Sequence, residues 1–335
     1  MNGSQMLIAI FIFLCISALP ITGCAQEVVI TDYTGQSVSV PLPVESIVSL
    51  SSSASEIVCA LNAGEKIIGR GSSSLFPPYL EEVPVVGKSS RTLDLERIIE
   101  LDPDLVIADT MISEEDRKSI EKTGIPVLEE SFADPVRVNE VIGNLGILLD
   151  EEDRAEEMID FLAGYLEMIE ERTSNLDPEM RPAVFLERGW TYHTASAGTP
   201  SDSRIIFAGG RNIAREEEIK YPTVCPEWVV QSDPDVIVRL VWATTGIPFT
   251  KENLEEVRSE IMSRPELANV KAVKNGKVYV MSSKANSGVM SMIGELYLAD
   301  WFHPELFEDV DPEEVHQDMV QKFYGLEVEG AYVYP

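Results

Sequence analysis

The chain of 335 residues is short of positive charge. It has 26 Lys and Arg against 57 Asp and Glu, a net charge of -31 with His neutral. A surface of that sign repels a phosphate backbone, which excludes nucleic acid as a partner. Histidine is scarce: the three are His193, His303 and His316. That is too few for a converging set of bare-metal ligands. His303, in Trp-Phe-His-Pro, and His316, near the tail, read as structural, and only His193 is placed where it would touch a metal. Cysteine numbers four. With no Cys-x-x-Cys and no Cys/His cluster, a structural zinc site is excluded. Cys59 and Cys225 read as small buried apolar residues rather than a disulfide pair.

Catalytic signatures are also missing. There is no Gly-x-Ser-x-Gly elbow, Walker loop, His-Glu-x-x-His or strand-following Gly-x-Gly-x-x-Gly. A secreted enzyme therefore lacks a recognisable constellation. The serines at 51–55 have no nearby base and suit a helix N-cap instead. Nor does the chain carry the added helix or repeats of a sensor or adhesion module. After the N-terminus no apolar run is long enough to span a bilayer.

What is present begins with MLIAIFIFLCISAL at 6–19, an apolar run of signal-peptide length. Ile21-Thr22-Gly23-Cys24 follows, small residues before a cysteine. The expectation is a lipoprotein-type signal at 1–23, with Cys24 lipidated. The n-region MNGSQ lacks the usual Lys or Arg, and a plain signal peptide or an uncleaved anchor are the alternatives. Beyond it, 44% hydrophobic residues suit a globular chain, and the length suits two domains.

One sentence is written twice. Leu93-Asp-Leu-Glu-Arg-Ile-Ile-Glu-Leu-Asp-Pro-Asp-Leu-Val-Ile-Ala108 aligns with Val224-Cys-Pro-Glu-Trp-Val-Val-Gln-Ser-Asp-Pro-Asp-Val-Ile-Val-Arg239. Glu96 meets Glu227, and Asp102-Pro103-Asp104 meets Asp233-Pro234-Asp235. Each copy reads as a short helix, a turn at the proline and a strand buried on both faces. Further strands are expected at 46–50, 66–69, 126–128, 183–186 and 277–281, with helices at 52–61 and 203–208. Strands alternating with helices imply a parallel, helix-covered sheet in each half. Between the halves, residues 150–175 carry apolar positions at helical spacing. Unbroken, that helix is ~39 Å long, a strut between lobes or else part of one lobe. The tail from Asp311 to Gly325 reads as a capped helix.

In an α/β lobe the helix N-termini lie at the carboxyl ends of the strands, where ligands bind. Glu96 and Glu227 each fall in a first helical turn. Dipole complementation explains either alone. A matched pair held by a strut would suit two cations on a partner.

Taken in order, the lipobox, Ser46–Glu56, the two copies and the long connecting helix resemble the substrate-binding proteins of ABC importers for iron chelates and cobalamin. The resemblance spans roughly Ser46 to Asp311. It implies two Rossmann-like lobes with parallel sheets, joined by one long rigid helix, with a ligand cleft between them. The expected divisions are 28–148, 149–176 and 181–330. It also implies that Glu96 and Glu227 pair with arginines of a permease, whose ATPase is a separate chain. Glu56 has an equivalent in that family and reads here as local to its helix. The implied protein is a non-enzymatic monomer at the outer face of the membrane or in the periplasm. It captures a ferric siderophore, haem or cobalamin, with iron chelates favoured by the family's breadth.

Cleft candidates follow from the strand ends: Ser52, Arg70, Arg91 and Met111 in the first half, and Arg188, Trp190, Tyr192, Arg239 and Trp242 in the second. Flat aromatic faces suit a bulky chelate, and guanidinium forks suit its carboxylates, hydroxamates or phosphates. Rim packing and surface ion pairs are the plainer readings of each residue taken singly.

Overall fold

A computed structural model describes residues 26–132, 135–242, 249–286 and 288–335. The expected signal segment and Cys24 lie outside them. The first lobe opens on a hairpin the sequence reading did not anticipate, β1 (Glu27–Thr31) with β2 (Ser37–Pro41). Then come β3 (Ile47–Ser49), α1 (Ser52–Ala60), β4 (Ile67–Arg70) and the small hairpin β5 (Gly87–Ser89) and β6 (Thr92–Leu93). They lead to α2 (Leu95–Leu101), β7 (Leu105–Asp109), α3 (Glu114–Glu121), β8 (Val127–Glu130) and α4 (Pro135–Leu149). The sheet order is β4-β3-β7-β8, all parallel.

The helix α5 (Glu152–Thr173) connects the lobes and is ~33 Å long at 1.5 Å per residue. Ala155, Met158, Leu162 and Ile169 form its buried stripe. It packs on α4 of the first lobe and on α6 and α10 of the second, so it is a strut with contacts to both.

The second lobe runs β9 (Ala183–Arg188), α6 (Pro200–Phe207), β10 (Arg211–Asn212), α7 (Pro226–Ser232), β11 (Val236–Val241) and α8 (Lys251–Met262). It continues with α9 (Lys271–Lys274), β12 (Val278–Ser282), α10 (Ser291–Phe302), α11 (Pro312–Tyr324) and β13 (Val333–Tyr334). Its sheet order is β10-β9-β11-β12-β13, parallel except for β13, which returns antiparallel beyond the expected lobe end at 330. The fold class read from the sequence, α/β with a parallel sheet in each of two lobes, is the one found.

The repeated sentence is a repeated piece of structure. Asp102 and Asp233 both end their helices in the left-handed region, with φ of 47° and 42°. Asp is among the few side chains that tolerate this conformation. Two residues on, Asp104 accepts the amides of Glu45 and Ser46, at the entry to β3. Asp235 likewise accepts the amide of Ala183, at the start of β9. The second aspartate therefore clamps the neighbouring strand to the one it feeds, which sets the register of each sheet.

Two cysteine expectations divide. Cys59 is buried, whereas Cys225 is exposed, because it caps α7 at the lobe surface instead of facing the core. His303 and His316 are buried, as structural residues should be. His303 Nε2 lies 3.1 Å from the Gly209 carbonyl, and burial pushes His316 down to about 4.

Candidate functional site

The carboxyl ends of β3, β7 and β8 build the first wall. Residues after each strand line a cavity of about 380 Å³: Ser51–Ser53, Asp109–Met111 and Ser131, with Asn286 reaching in from the second lobe. Ser52 stands in the first turn of α1, half-buried. The serines before it were expected to cap this helix, but Ser51 makes no side-chain cap bond. Among the described residues, the first amides of α1 thus lack an N-cap side-chain acceptor at the cavity. Asp109 is held by the Met111 amide at 2.9 Å, and burial raises its carboxyl above the usual range. Met111 projects 51% exposed, and Arg91 is exposed at the tip of the β5–β6 hairpin.

Arg70 is not at this surface. It is 5% exposed, and its guanidinium donates to the carbonyls of Val83, Gly71, Ser72 and Glu81. It fastens the loop after β4 because four inward-turned carbonyls need a donor there.

The second wall is organised by a buried carboxylate. Glu187, fully buried on β9, accepts from Arg264 at 2.8 and 3.0 Å, from the Tyr192 amide at 2.6 Å, and from Arg239. Arg239 also donates to the Gly189 carbonyl at 2.7 Å. Its charge is neutralised inside the lobe, which corrects its reading as a free ligand contact. Tyr192 is corrected in the same way. It sits in the left-handed region at φ 59°, is 8% exposed, and its hydroxyl donates to Glu266 at 2.6 Å. Both residues hold the frame because Glu187 must be satisfied where water does not reach.

Arg188 is different. It is half-buried and forms no ion pair with any described residue. Its guanidinium lies 4.5 Å from the Tyr221 ring centroid and 5.4 Å from that of Trp242. Its Nε has no hydrogen-bond partner, and burial lowers its pKa. Trp190 and Trp242 are 60% and 42% exposed. The His193 ring lies 4.1 Å from a Trp190 ring, tilted by 35°; burial, then Arg188 and Arg239, push its pKa down, and its Nδ1 has no partner. Such a residue is a neutral imidazole at pH 7.

Tyr221 was not foreseen. It arrives because residues 220–224 run along 192–196, with Val224 donating to Tyr192 and Thr194 to the Pro222 carbonyl. No local signal in the sequence marks that pairing. Ser131 was equally missed, although the rule that finds the other strand ends would have found it after β8.

Glu96 and Glu227 both lie exposed in the first turns of α2 and α7, without an ion pair to any described residue. Glu56 is not merely local to α1. Burial pushes it up to about 8 against the pull of Lys284, which comes from the second lobe.

Among known proteins, the periplasmic binding protein family model matches residues 47–285. An uncharacterised ABC transporter substrate-binding lipoprotein of Bacillus subtilis, YvrC, is 26% identical over 84% of this chain and 87% of its own. A cobalamin-binding protein of Halobacterium salinarum is 26% identical over 78% of this chain and 69% of its own. The molybdate-bound structure of MolA from Haemophilus influenzae superposes with a TM-score of 0.74 at 20% identity, over 90% of this chain and 99% of that one. At that identity the likeness speaks for the fold alone. The two-lobed architecture and a family match across both lobes lead to one conclusion: the chain belongs to the periplasmic binding protein family.

Proposed function

We propose that the chain is the exported receptor of an ABC importer that captures a metal chelate carrying an anionic edge and delivers it to a permease. The observation that carries this reading is Arg188. In a chain of net charge -31, a half-buried guanidinium without a carboxylate partner calls for an anion from outside. Two flanking rings add cation–π attraction of about 0.5–2 kcal/mol each and offer flat area to a conjugated or bulky body. The exposed indoles of Trp190 and Trp242 exceed what a small tetrahedral oxyanion would cover. On the first lobe, the hydroxyls of the strand ends and the first amides of α1 supply donors. Ligand donors or hydroxyls would face Asp109. Ferric siderophores and haem have such anionic edges, and we place an iron chelate first. Cobalamin is the second reading, supported by the cobalamin-binding relative.

Delivery uses the lobe surface. Glu96 and Glu227 stand at equivalent places in two copies of one unit, unpaired and exposed. We assign them to docking against cations of the permease. The lipobox at Cys24 would keep the receptor at the membrane, where the permease is. Binding without chemistry suffices for all of this.

Mass spectrometry of the ligand that copurifies from native cells tests the capture role; a metal chelate is expected, and a metal-free metabolite would overturn it. Charge reversal at both Glu96 and Glu227 is expected to abolish uptake while leaving ligand affinity unchanged. Uptake that survives the double reversal would refute the docking role.

A further inference from the structure

A second cavity lies beside the connecting helix, and it is the larger one at about 790 Å³. Three parts of the molecule wall it: Tyr33 in the turn of the N-terminal hairpin, Leu166 on α5, and Phe207 and Glu295 on α6 and α10. Ser131 borders both this cavity and the cleft of the first wall. Between the two runs a thin partition, Arg204 of the one donating to Asn286 of the other, at 2.8 Å to its carbonyl.

Glu295 is the feature that asks for an occupant. It is 2% exposed, and among the described residues its one ion-pair partner is Arg204 at 3.4 Å. Arg204 is already engaged by Asn286. The second carboxylate oxygen of Glu295, Oε2, has no hydrogen-bond partner. A buried acceptor left without a donor is costly, and more so when the group is a carboxylate. Burial accordingly pushes Glu295 up to about 7 in spite of Arg204. At the rim, Glu167 and Glu170 are exposed and form no ion pair with a described residue. The rest of the wall mixes the apolar and aromatic Leu166, Phe207 and Tyr33 with the polar Asn139, Thr199 and Ser203, and its one cation, Arg204, is turned to Asn286 and Glu295. Its volume falls within the usual range of small-molecule sites, ~300–1,000 Å³.

We propose that this cavity is a second ligand site, separate from the chelate cleft, which takes an organic amine with an apolar or aromatic body. The ammonium donates to Glu295, and the rim carboxylates raise the local concentration of cations. The body fills the space between Phe207, Leu166 and Tyr33. Such a ligand touches both lobes and the helix between them. It also abuts the Arg204–Asn286 partition, so occupancy of one cavity is felt in the other through that pair.

Two probes of matched size and opposite charge test this, phenethylamine and phenylacetate, titrated calorimetrically into the chain at pH 8. Phenethylamine is expected to bind at one site, with phenylacetate at least about tenfold weaker, the scale of one charged hydrogen bond. Glu295→Gln keeps the shape and is expected to weaken the amine by about tenfold on the same ground. Leu166→Trp fills the cavity and is expected to abolish binding, with circular dichroism confirming that both variants fold. No heat with the amine, equal binding of both probes, or amine binding untouched by Glu295→Gln would overturn the proposal. Because no chelate is present in the titration, its failure leaves the proposed transport role standing.

Discussion

At the strand ends of the first lobe the side chains are mostly small and hydroxylated, Ser51–Ser53, Ser90 and Ser131, with the carboxylates of Asp109 and Glu130 among them. At those of the second lobe stand an arginine, two tryptophans, a tyrosine and a histidine. Yet the lobes are fed by the same unit: helix, left-handed aspartate, proline, clamping aspartate and strand. The unit fixes register and carries one exposed glutamate in each copy. The loops at the opposite strand ends are free to differ. The scaffold and its two exposed glutamates are thus symmetric while the strand-end surfaces are not; under the proposed function this suits a ligand with an anionic, planar side and a side rich in acceptors.

The sharpest break of that comparison lies within the second wall, between Arg239 and Arg188. Arg239→Ala strips one of two guanidinium groups from fully buried Glu187 and is expected to cost about 3 kcal/mol of stability, as removal of one partner from a buried pair does. A denaturant midpoint would show it. Arg188→Ala removes no intramolecular ion pair, only two ring contacts, and is expected to lower the midpoint less than Arg239→Ala while weakening the ligand by about 10- to 100-fold, the loss of one charge-assisted contact. Ser52→Ala on the first wall, a neutral donor, is expected to weaken it by only about 2- to 10-fold. Equal losses at Ser52 and Arg188, read by titration, would erase the asymmetry of the walls.

A smaller effect concerns the seam between lobes. Glu56, Glu130 and Glu295 are raised by burial to about 8, 7 and 7. A carboxyl whose folded pKa lies above its unfolded value binds more protons when folded. Stability therefore falls as pH rises from the unfolded value, near 4.5, to the folded one. His316, depressed to about 4, acts oppositely, losing stability as pH drops below about 6.5. Between pH 6.5 and 8.5 the three raised glutamates all act in the same direction, so the melting temperature is expected to be higher at 6.5. In Glu56→Gln that slope should flatten, and an unchanged slope would show that Glu56 does not sense the seam.

Much of the scaffold was legible because its signals are local. The Asp-Pro-Asp turns, the doubly buried strands and the 3.6-residue stripe of α5 each follow from a few neighbouring residues. The hairpin β1–β2 went unread although Val38 and Val40 alternate with exposed neighbours, since a lone two-stranded piece has no partner signal nearby. Helix α10 carries apolar residues on all sides and is buried almost throughout, so periodicity offered nothing to detect. Strand-end position singled out Ser52 and Met111, which line the first-lobe cavity, and Arg188, Trp190 and Trp242, which lie at the strand ends of the second lobe. It could not separate Arg188 from Arg70 and Arg239, because the separation depends on carbonyls and a carboxylate supplied from elsewhere in the chain. Tyr221 depends on a long loop folding back, which no spacing encodes.

The central claim is that the second wall captures an anionic metal chelate through Arg188 and its rings. Tryptophan fluorescence titrated with a ferric catecholate siderophore, haemin, cyanocobalamin and molybdate, in the wild type and in Arg188→Ala, measures it directly. The account predicts strong quenching with at least one chelate at sub-micromolar concentration, lost or greatly weakened in the variant, and little response to molybdate. Silence toward every chelate, or an affinity that does not change when Arg188 is removed, would contradict it.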